Sequence, residues 1–162
     1  MTSQDPPALR EFQGHEIYPM PMFATISVAD VTAVSEWYQQ ALGFSVVFAA
    51  PGAALVHLRR RKYQDLLIVA SRGASSAAPS SLTISFSADG EIDEVAARAH
   101  AAPKAGASSV AGPTATPWNT LDLRVTDPAG HHLIFTARNP NPDPEQARRM
   151  QAMFDAPQSG LH

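Results

Sequence analysis

Two adjacent histidines, His131 and His132, lie near the end of WNTLDLRVTDPAGHHLIFTAR, which spans residues 118–138. Imidazole can bind a metal, accept a proton or contact a ligand. Alternation of apolar and polar residues predicts a strand here, and neighbouring residues of a strand face opposite sides. The two histidines therefore cannot bind one ion. We expect His131 to be solvent-facing or hydrogen-bonded, and His132 to contact a ligand or to make a structural hydrogen bond.

Three further side chains of this segment could serve binding. Asp122 and Arg124 share one face of a predicted strand, where they form either an ion pair or a polar clamp for a ligand. Trp118 either packs under a loop or offers a flat contact area with one donor. His57 lies on the more polar side of an earlier predicted strand. Its imidazole either contacts a ligand or makes a structural hydrogen bond.

Composition and charge exclude several classes of chemistry. The chain has 162 residues and no cysteine, which excludes disulfides, thiolate metal sites and a cysteine nucleophile. It contains no GxGxxG, GxxxxGK[ST], GxSxG or HExxH motif. Its formal net charge of -3 favours neither nucleic acid nor an anionic membrane as a partner. The one basic run, at 59–62, is interpreted as a solvated strand end and turn, with an anion contact as the alternative.

No segment approaches about 18 consecutive apolar residues, so no membrane span is predicted. The first residues contain no apolar run of the kind that a secretory signal needs. We therefore expect a cytoplasmic protein.

The pattern of the chain repeats once. Residues 1–21 predict an extended arm, and residues 22–71 a strand, a helix and three strands. Asp30 is the predicted N-cap of that helix, and Gly43 ends it. Residues 72–80 are small and polar, which is typical of a linker.

Residues 81–138 then give the same order again, with a strand at 81–87, a helix at 91–102 and strands at 107–112, 120–126 and 131–137. Residues 139–162 form a proline-rich tail. Its predicted short helix would have Met150, Met153 and Phe154 as the apolar side.

Three stretches resemble the vicinal oxygen chelate superfamily of glyoxalases, bleomycin-resistance proteins, fosfomycin-modifying enzymes and extradiol dioxygenases. They are ISVADVTAVSEWYQQALGF at 26–44, the region of Trp118, and the DPAG turn at 127–130. The resemblance implies an α+β fold with two tandem βαβββ modules that form a curled mixed sheet around a cleft. Independently of it, DPAG is a turn sequence that predicts a hairpin.

The resemblance also implies where metal-using members hold their ion. The matching positions here are Phe23, Ser81 (or Leu82), the neighbourhood of Leu67, and Ile134. Divalent metals need carboxylate, imidazole or thiolate donors, and these residue types offer none apart from a weak hydroxyl. We therefore expect no metal and no other cofactor.

The leading prediction is metal-independent binding or sequestration of a small molecule, such as an antibiotic or another aromatic natural product, by a homodimer. One alternative is a lyase, isomerase or dioxygenase of the same superfamily, which would depend on a metal if the strand register were misread. Another is an accessory subunit with a vestigial cleft. The positions expected to contact the ligand are Phe23, Thr25, His57, Trp118, Asp122, Arg124, His132 and Ile134.

Overall fold

The computed structural model describes Met20, residues 22–71 and residues 82–155. Met20 is the one described residue of the predicted arm at 1–21. The linker at 72–80 and Ser81 lie outside the described residues. So do the last seven residues and the side chains of Met150, Met153 and Phe154. The chain divides into two compact units, at residues 1–76 and 77–162.

The first unit is a four-stranded sheet with one helix. Its elements are β1 (Ala24–Val28), α1 (Val31–Leu42), β2 (Ser45–Ala49), β3 (Leu55–Arg59) and β4 (Asp65–Ala70), in the sheet order β1-β4-β3-β2. β1 and β4 are parallel, and the other two pairings are antiparallel.

Local sequence signals set the ends of α1 as predicted. The Asp30 side chain accepts a hydrogen bond from the Ala33 amide at 2.9 Å, which satisfies one free donor of the first turn. Gly43 ends the helix with φ 72°, in the left-handed region that glycine enters without steric cost. Trp37 and Tyr38 are buried in the core with their rings edge to face.

The second unit repeats this arrangement and adds a helix. Its elements are β5 (Thr83–Ser87), α2 (Ile92–Ala101), β6 (Ser109–Ala115), β7 (Thr120–Thr126), β8 (His132–Arg138) and α3 (Pro144–Asp155). The sheet order is β5-β8-β7-β6, with β5 and β8 parallel. β6 runs past its predicted end at 112 because a register shift between Ala111 and Thr114 lets it continue beside β7.

One face of each sheet carries the core, and the other holds the polar side chains. In the first unit α1 packs on β3 and β4, and in the second α2 packs on β6, β7 and β8. Alternate residues of the strands, such as Leu58 and Ile68 or Leu123 and Phe135, are fully buried. The side chains between them form the opposite face, as the alternation predicts. No helix among the described residues is long and apolar enough to cross a membrane.

The expectation that the basic run at 59–62 is solvated is wrong for its first two residues. Arg59 and Arg60 are buried, at 2% and 5% exposure. Arg59 donates twice to Asp65, its direct partner across the β3–β4 ladder, and Arg60 donates to Gln64 at 2.9 Å. A short turn places Asp65 and Gln64 beside the two arginines. The hydrogen bonds to these partners allow the guanidinium groups to be buried.

Candidate functional site

Asp122 is the centre of a hydrogen-bond cluster on the polar face of the second unit. The hydroxyls of Thr120 and Thr136 donate to its Oδ1 atom at 2.9 and 2.8 Å. Since the Thr120 proton is used there, the Thr116 hydroxyl donates to Thr120 at 2.8 Å. Asp122 is 9% exposed, and its Oδ2 atom accepts no hydrogen bond from the described residues. The cluster therefore fixes one carboxylate oxygen and leaves the other available.

Arg124 lies two residues further along β7, on the same face. It is exposed, and among the described residues no ion pair joins it to Asp122. The interpretation that these two side chains form an ion pair is therefore wrong: the threonine hydroxyls hold one carboxylate oxygen of Asp122, and Arg124 is exposed. An acceptor site and a cationic donor site stand side by side on one strand.

Trp118 borders this face and is 60% exposed, so the interpretation that it packs under a loop is wrong. Trp118, Asp122 and Arg124 line one concavity of about 250 Å³. Trp118 also borders a second concavity of about 480 Å³, and Arg124 a third of about 320 Å³. Flat, acidic and cationic side chains therefore line one hollow of the second unit, and two further hollows share lining residues with it.

His132 and Ile134 line the third concavity together with Arg124. His132 is exposed, and its Nδ1 atom lies 3.4 Å from the Thr126 hydroxyl, a long contact that leaves the imidazole largely free. Ile134 is half-buried and stands opposite Arg124 in the β7–β8 ladder. Both side chains lie on the face that carries Asp122.

His131 faces a different environment, as predicted. Its Nδ1 atom lies 2.9 Å from the carboxylate of Asp127, which is fully buried in the DPAG turn. That carboxylate also accepts from the amides of Ala129 and His131 at 2.9 and 2.8 Å. The hydrogen bond to Asp127, supported by its charge, raises the pKa of His131, and burial opposes this only in part. His131 stabilises the hairpin.

Phe23, Thr25 and His57 belong to the first unit. Phe23 is 52% exposed just before β1, and Thr25 is exposed on β1. His57 is half-buried on β3, and its Nε2 atom lies 2.6 Å from the buried carboxylate of Asp65. These three side chains are thus on one unit, while the other five predicted site residues are on the second.

Sequence reasoning missed the partners that hold the site residues. Alternation places Thr120, Asp122 and Thr136 on one face of the predicted hairpin, but it does not show their hydrogen bonds or the part taken by Thr116. The pairing of Asp65 with Arg59 could have been predicted from their spacing. Asp65 begins β4 six residues after Arg59, and a short turn between antiparallel strands brings residues at this spacing opposite each other.

The described residues do not fit the superfamily's metal site. Phe23, Leu67 and Ile134 carry no donor atom in their side chains, and Ser81 lies outside the described residues. No group of three histidine, aspartate or glutamate side chains among the described residues is placed to hold an ion.

Comparison with known proteins identifies the family. The model of the Glyoxalase/Bleomycin resistance protein/Dioxygenase superfamily matches residues 22–135. The chain belongs to this superfamily. No curated protein matches the sequence.

Solved structures of the superfamily share the fold at low identity. One is the bleomycin resistance determinant encoded on the transposon Tn5, with 18% identity, a TM-score of 0.60, and coverage of 74% of this chain and 98% of that one. TioX from Micromonospora sp. ML1 has 18% identity, a TM-score of 0.57, and coverage of 72% and 97%. Lactoylglutathione lyase from Agrobacterium tumefaciens has 22% identity, a TM-score of 0.55, and coverage of 74% and 94%. At these identities the likeness shows the fold alone.

Proposed function

We propose that this superfamily member binds a flat small molecule without a metal, on the polar face of its second unit. One observation carries the proposal: an exposed indole, a carboxylate oxygen and a guanidinium that are unpaired among the described residues line the same hollow. The ligand class that suits them is a planar aromatic with an amine at one end and a carboxylate at the other.

Each side chain has a distinct role in this proposal. Trp118 stacks on the ring, since an indole face gives large apolar contact with little loss of side-chain freedom. The Oδ2 atom of Asp122 accepts from the amine, and Arg124 donates to the carboxylate. His132 and Ile134 contact the far side of the ligand. Phe23, Thr25 and His57 remain proposed contact residues on the first unit.

Binding and sequestration are favoured over metal-dependent catalysis by the donor chemistry. A glyoxalase-type lyase or dioxygenase needs a carboxylate or imidazole at the family positions, and Phe23, Leu67 and Ile134 provide neither. The bleomycin resistance determinant has the same fold, and antibiotic binding is one form that the proposed function takes.

The test compares 6-amino-2-naphthoate with 2-naphthoate by isothermal titration calorimetry. Trp118→Ala should weaken the binding of both compounds about fivefold or more, since stacking is worth roughly 1 kcal/mol beyond the loss of buried area. Asp122→Asn should abolish the preference for the amine while leaving 2-naphthoate affinity unchanged. Tyr63→Ala is the matched control, because it removes another half-exposed aromatic that belongs to the first unit. Equal binding by Trp118→Ala and the wild type would refute the proposal.

We also propose that the chain forms a homodimer, because the resemblance to drug-binding members implies clefts built between subunits. Light scattering coupled to size-exclusion chromatography measures this directly. A dimer mass of twice 17.3 kDa supports the proposal, and a monomer at the concentrations used for calorimetry contradicts it.

A further inference from the structure

The segment that leads from β8 to α3 forms part of a wall beside Trp118. The larger hollow, which is the concavity of about 480 Å³, is lined by Trp118 and Asn119 before β7 and by Thr136 on β8. Asn139 and Pro142, which follow β8, line it as well. Residues of the β7–β8 hairpin and of the C-terminal segment therefore enclose this hollow together.

Hydrogen bonds hold that segment against the rest of the second unit. The Asn139 amide donates to the carbonyl oxygen of Asn119 at 2.9 Å, and the Asn141 amide donates to the side-chain oxygen of Asn139 at 3.0 Å. Asp143 then caps α3 by accepting from two amides of its first turn at 2.8 and 2.9 Å. Pro142 lies between these two anchors, and its ring fixes its own φ. The wall is therefore ordered before a ligand binds, which lowers the entropic cost of binding.

The volumes of the two hollows beside Trp118 favour a ligand that enters both. Sites for drug-sized ligands hold about 300–1,000 Å³. The hollow that Asp122 and Arg124 line holds about 250 Å³, which is below this range, whereas the larger hollow lies within it. Trp118 lines both hollows and is 60% exposed. A ring stacked on its indole is therefore placed to carry a further group into the larger hollow.

The wall is an addition to the part of the chain that the superfamily model covers. That model matches residues 22–135, and the segment between β8 and α3 begins at Asn139. The matched part of the fold supplies Trp118 and Thr136 to the larger hollow, but it does not supply Pro142. The contribution of Pro142 is thus a property of this chain.

We propose that the ligand carries a second aromatic group beyond the ring that stacks on Trp118, and that this group lies in the larger hollow against Pro142. The inference rests on the proposed function, because it concerns the same site and specifies which ligands that site prefers. Pro142 is a specificity-determining residue, since its rigid pyrrolidine ring gives apolar contact to the second group. Asn139 is a positioning residue, because it ties the segment to Asn119 and to its own next turn.

The test measures three compounds by isothermal titration calorimetry of the full chain. They are 6-amino-2-naphthoate and its 4-phenyl and 8-phenyl derivatives, which carry the added ring on opposite long edges of the naphthalene. The contacts of the amine and the carboxylate fix the orientation of the naphthalene, so only one edge faces the larger hollow. That isomer should bind about five- to tenfold more tightly than the parent, the value expected when about half of a phenyl ring is removed from water.

Pro142→Ala tests the wall directly. It removes the Cγ and Cδ atoms of the pyrrolidine ring, and should lower the gain of the preferred isomer about threefold. Pro140→Ala is the matched control, because Pro140 is exposed in the same segment but is not among the residues that line the larger hollow. It frees the backbone of the segment in the same way and should leave the gain unchanged. In the wild-type complex, nuclear Overhauser effects should also connect the phenyl protons to Pro142.

The outcomes separate this inference from the proposed function. Binding of 6-amino-2-naphthoate with no gain for either isomer, or a gain that Pro142→Ala and Pro140→Ala change equally, would overturn the inference alone. If Asp122→Asn leaves the binding of all three amines unchanged while Pro142→Ala still lowers the gain, the amine contact of the proposed function is overturned and the inference stands. If none of the three compounds binds, both are overturned.

Discussion

Replacing Arg59 with methionine should destabilise the protein far more than its place in a basic run suggests. The substitution leaves the carboxylate of Asp65 buried at 1% exposure, with His57 as its one remaining side-chain partner among the described residues. Breaking a buried ion pair from one side costs about 3–5 kcal/mol, because the remaining charge stays desolvated. Stabilities of typical domains are about 5–15 kcal/mol, so the loss is a large fraction of the total.

The double variant Arg59→Met/Asp65→Leu separates charge from packing. It removes both charges and fills the site with apolar atoms, and replacing a buried pair this way is often neutral. We expect it to lie within about 1 kcal/mol of the wild type, which makes the coupling between the two positions several kcal/mol. Urea denaturation followed by far-UV circular dichroism measures the free energy of unfolding of each variant. We expect the m-value to be the same for all of them.

Arg98→Met is the matched control. Arg98 is exposed on α2, and its i,i+4 contact with Glu94 is 3.7 Å long. Surface pairs of this kind contribute at most about 0.5 kcal/mol. If Arg59→Met costs no more than Arg98→Met, the burial of the Arg59–Asp65 pair is refuted.

Three other predictions concern turns and caps. His131→Gln should remove a pH-dependent part of the free energy of unfolding. Asp127 raises the pKa of His131 in the folded state. The contribution of His131 to stability is therefore complete below the ordinary pKa of 6.5 and is lost as pH rises through the raised pKa. Thermal melts at pH 5 and pH 9 should therefore differ less in the variant than in the wild type. Gly106→Ala should cost about 2 kcal/mol or more in urea denaturation, because φ is +50° and the new Cβ would lie 2.4 Å from a carbonyl oxygen of the DPAG turn. Asp30→Ala should cost about 0.5–2 kcal/mol in the same assay through loss of the α1 N-cap, whereas Asp30→Ser should restore most of it.

Local signals explain why so much of the fold was predictable from the sequence. Asp30 and Gly43 mark the ends of α1, and the DPAG turn places β7 beside β8. Each of these depends on residues within a few positions of one another. The alternation along the strands also indicates which side chains face the helices, since the period of a strand is two.

Other contacts depend instead on which side chains meet across a turn or between neighbouring strands. The burial of Arg59 and Arg60 results from partners that a turn returns to them, and a run of basic residues alone suggests solvent. The Thr136 hydroxyl donates to Asp122 from the neighbouring strand β8. The strand pattern shows that Asp122 and Arg124 share a face, but it does not show whether their side chains pair.

Ligand binding without a metal can be measured on the wild-type chain. The dissociation constant of 6-amino-2-naphthoate is measured by calorimetry for the untagged chain in EDTA and again with Mn²⁺, Ni²⁺ or Zn²⁺ added. We expect saturable binding in EDTA with the same constant, within error, after each metal is added. Binding that appears only with a metal, at one ion per chain by elemental analysis, would contradict it.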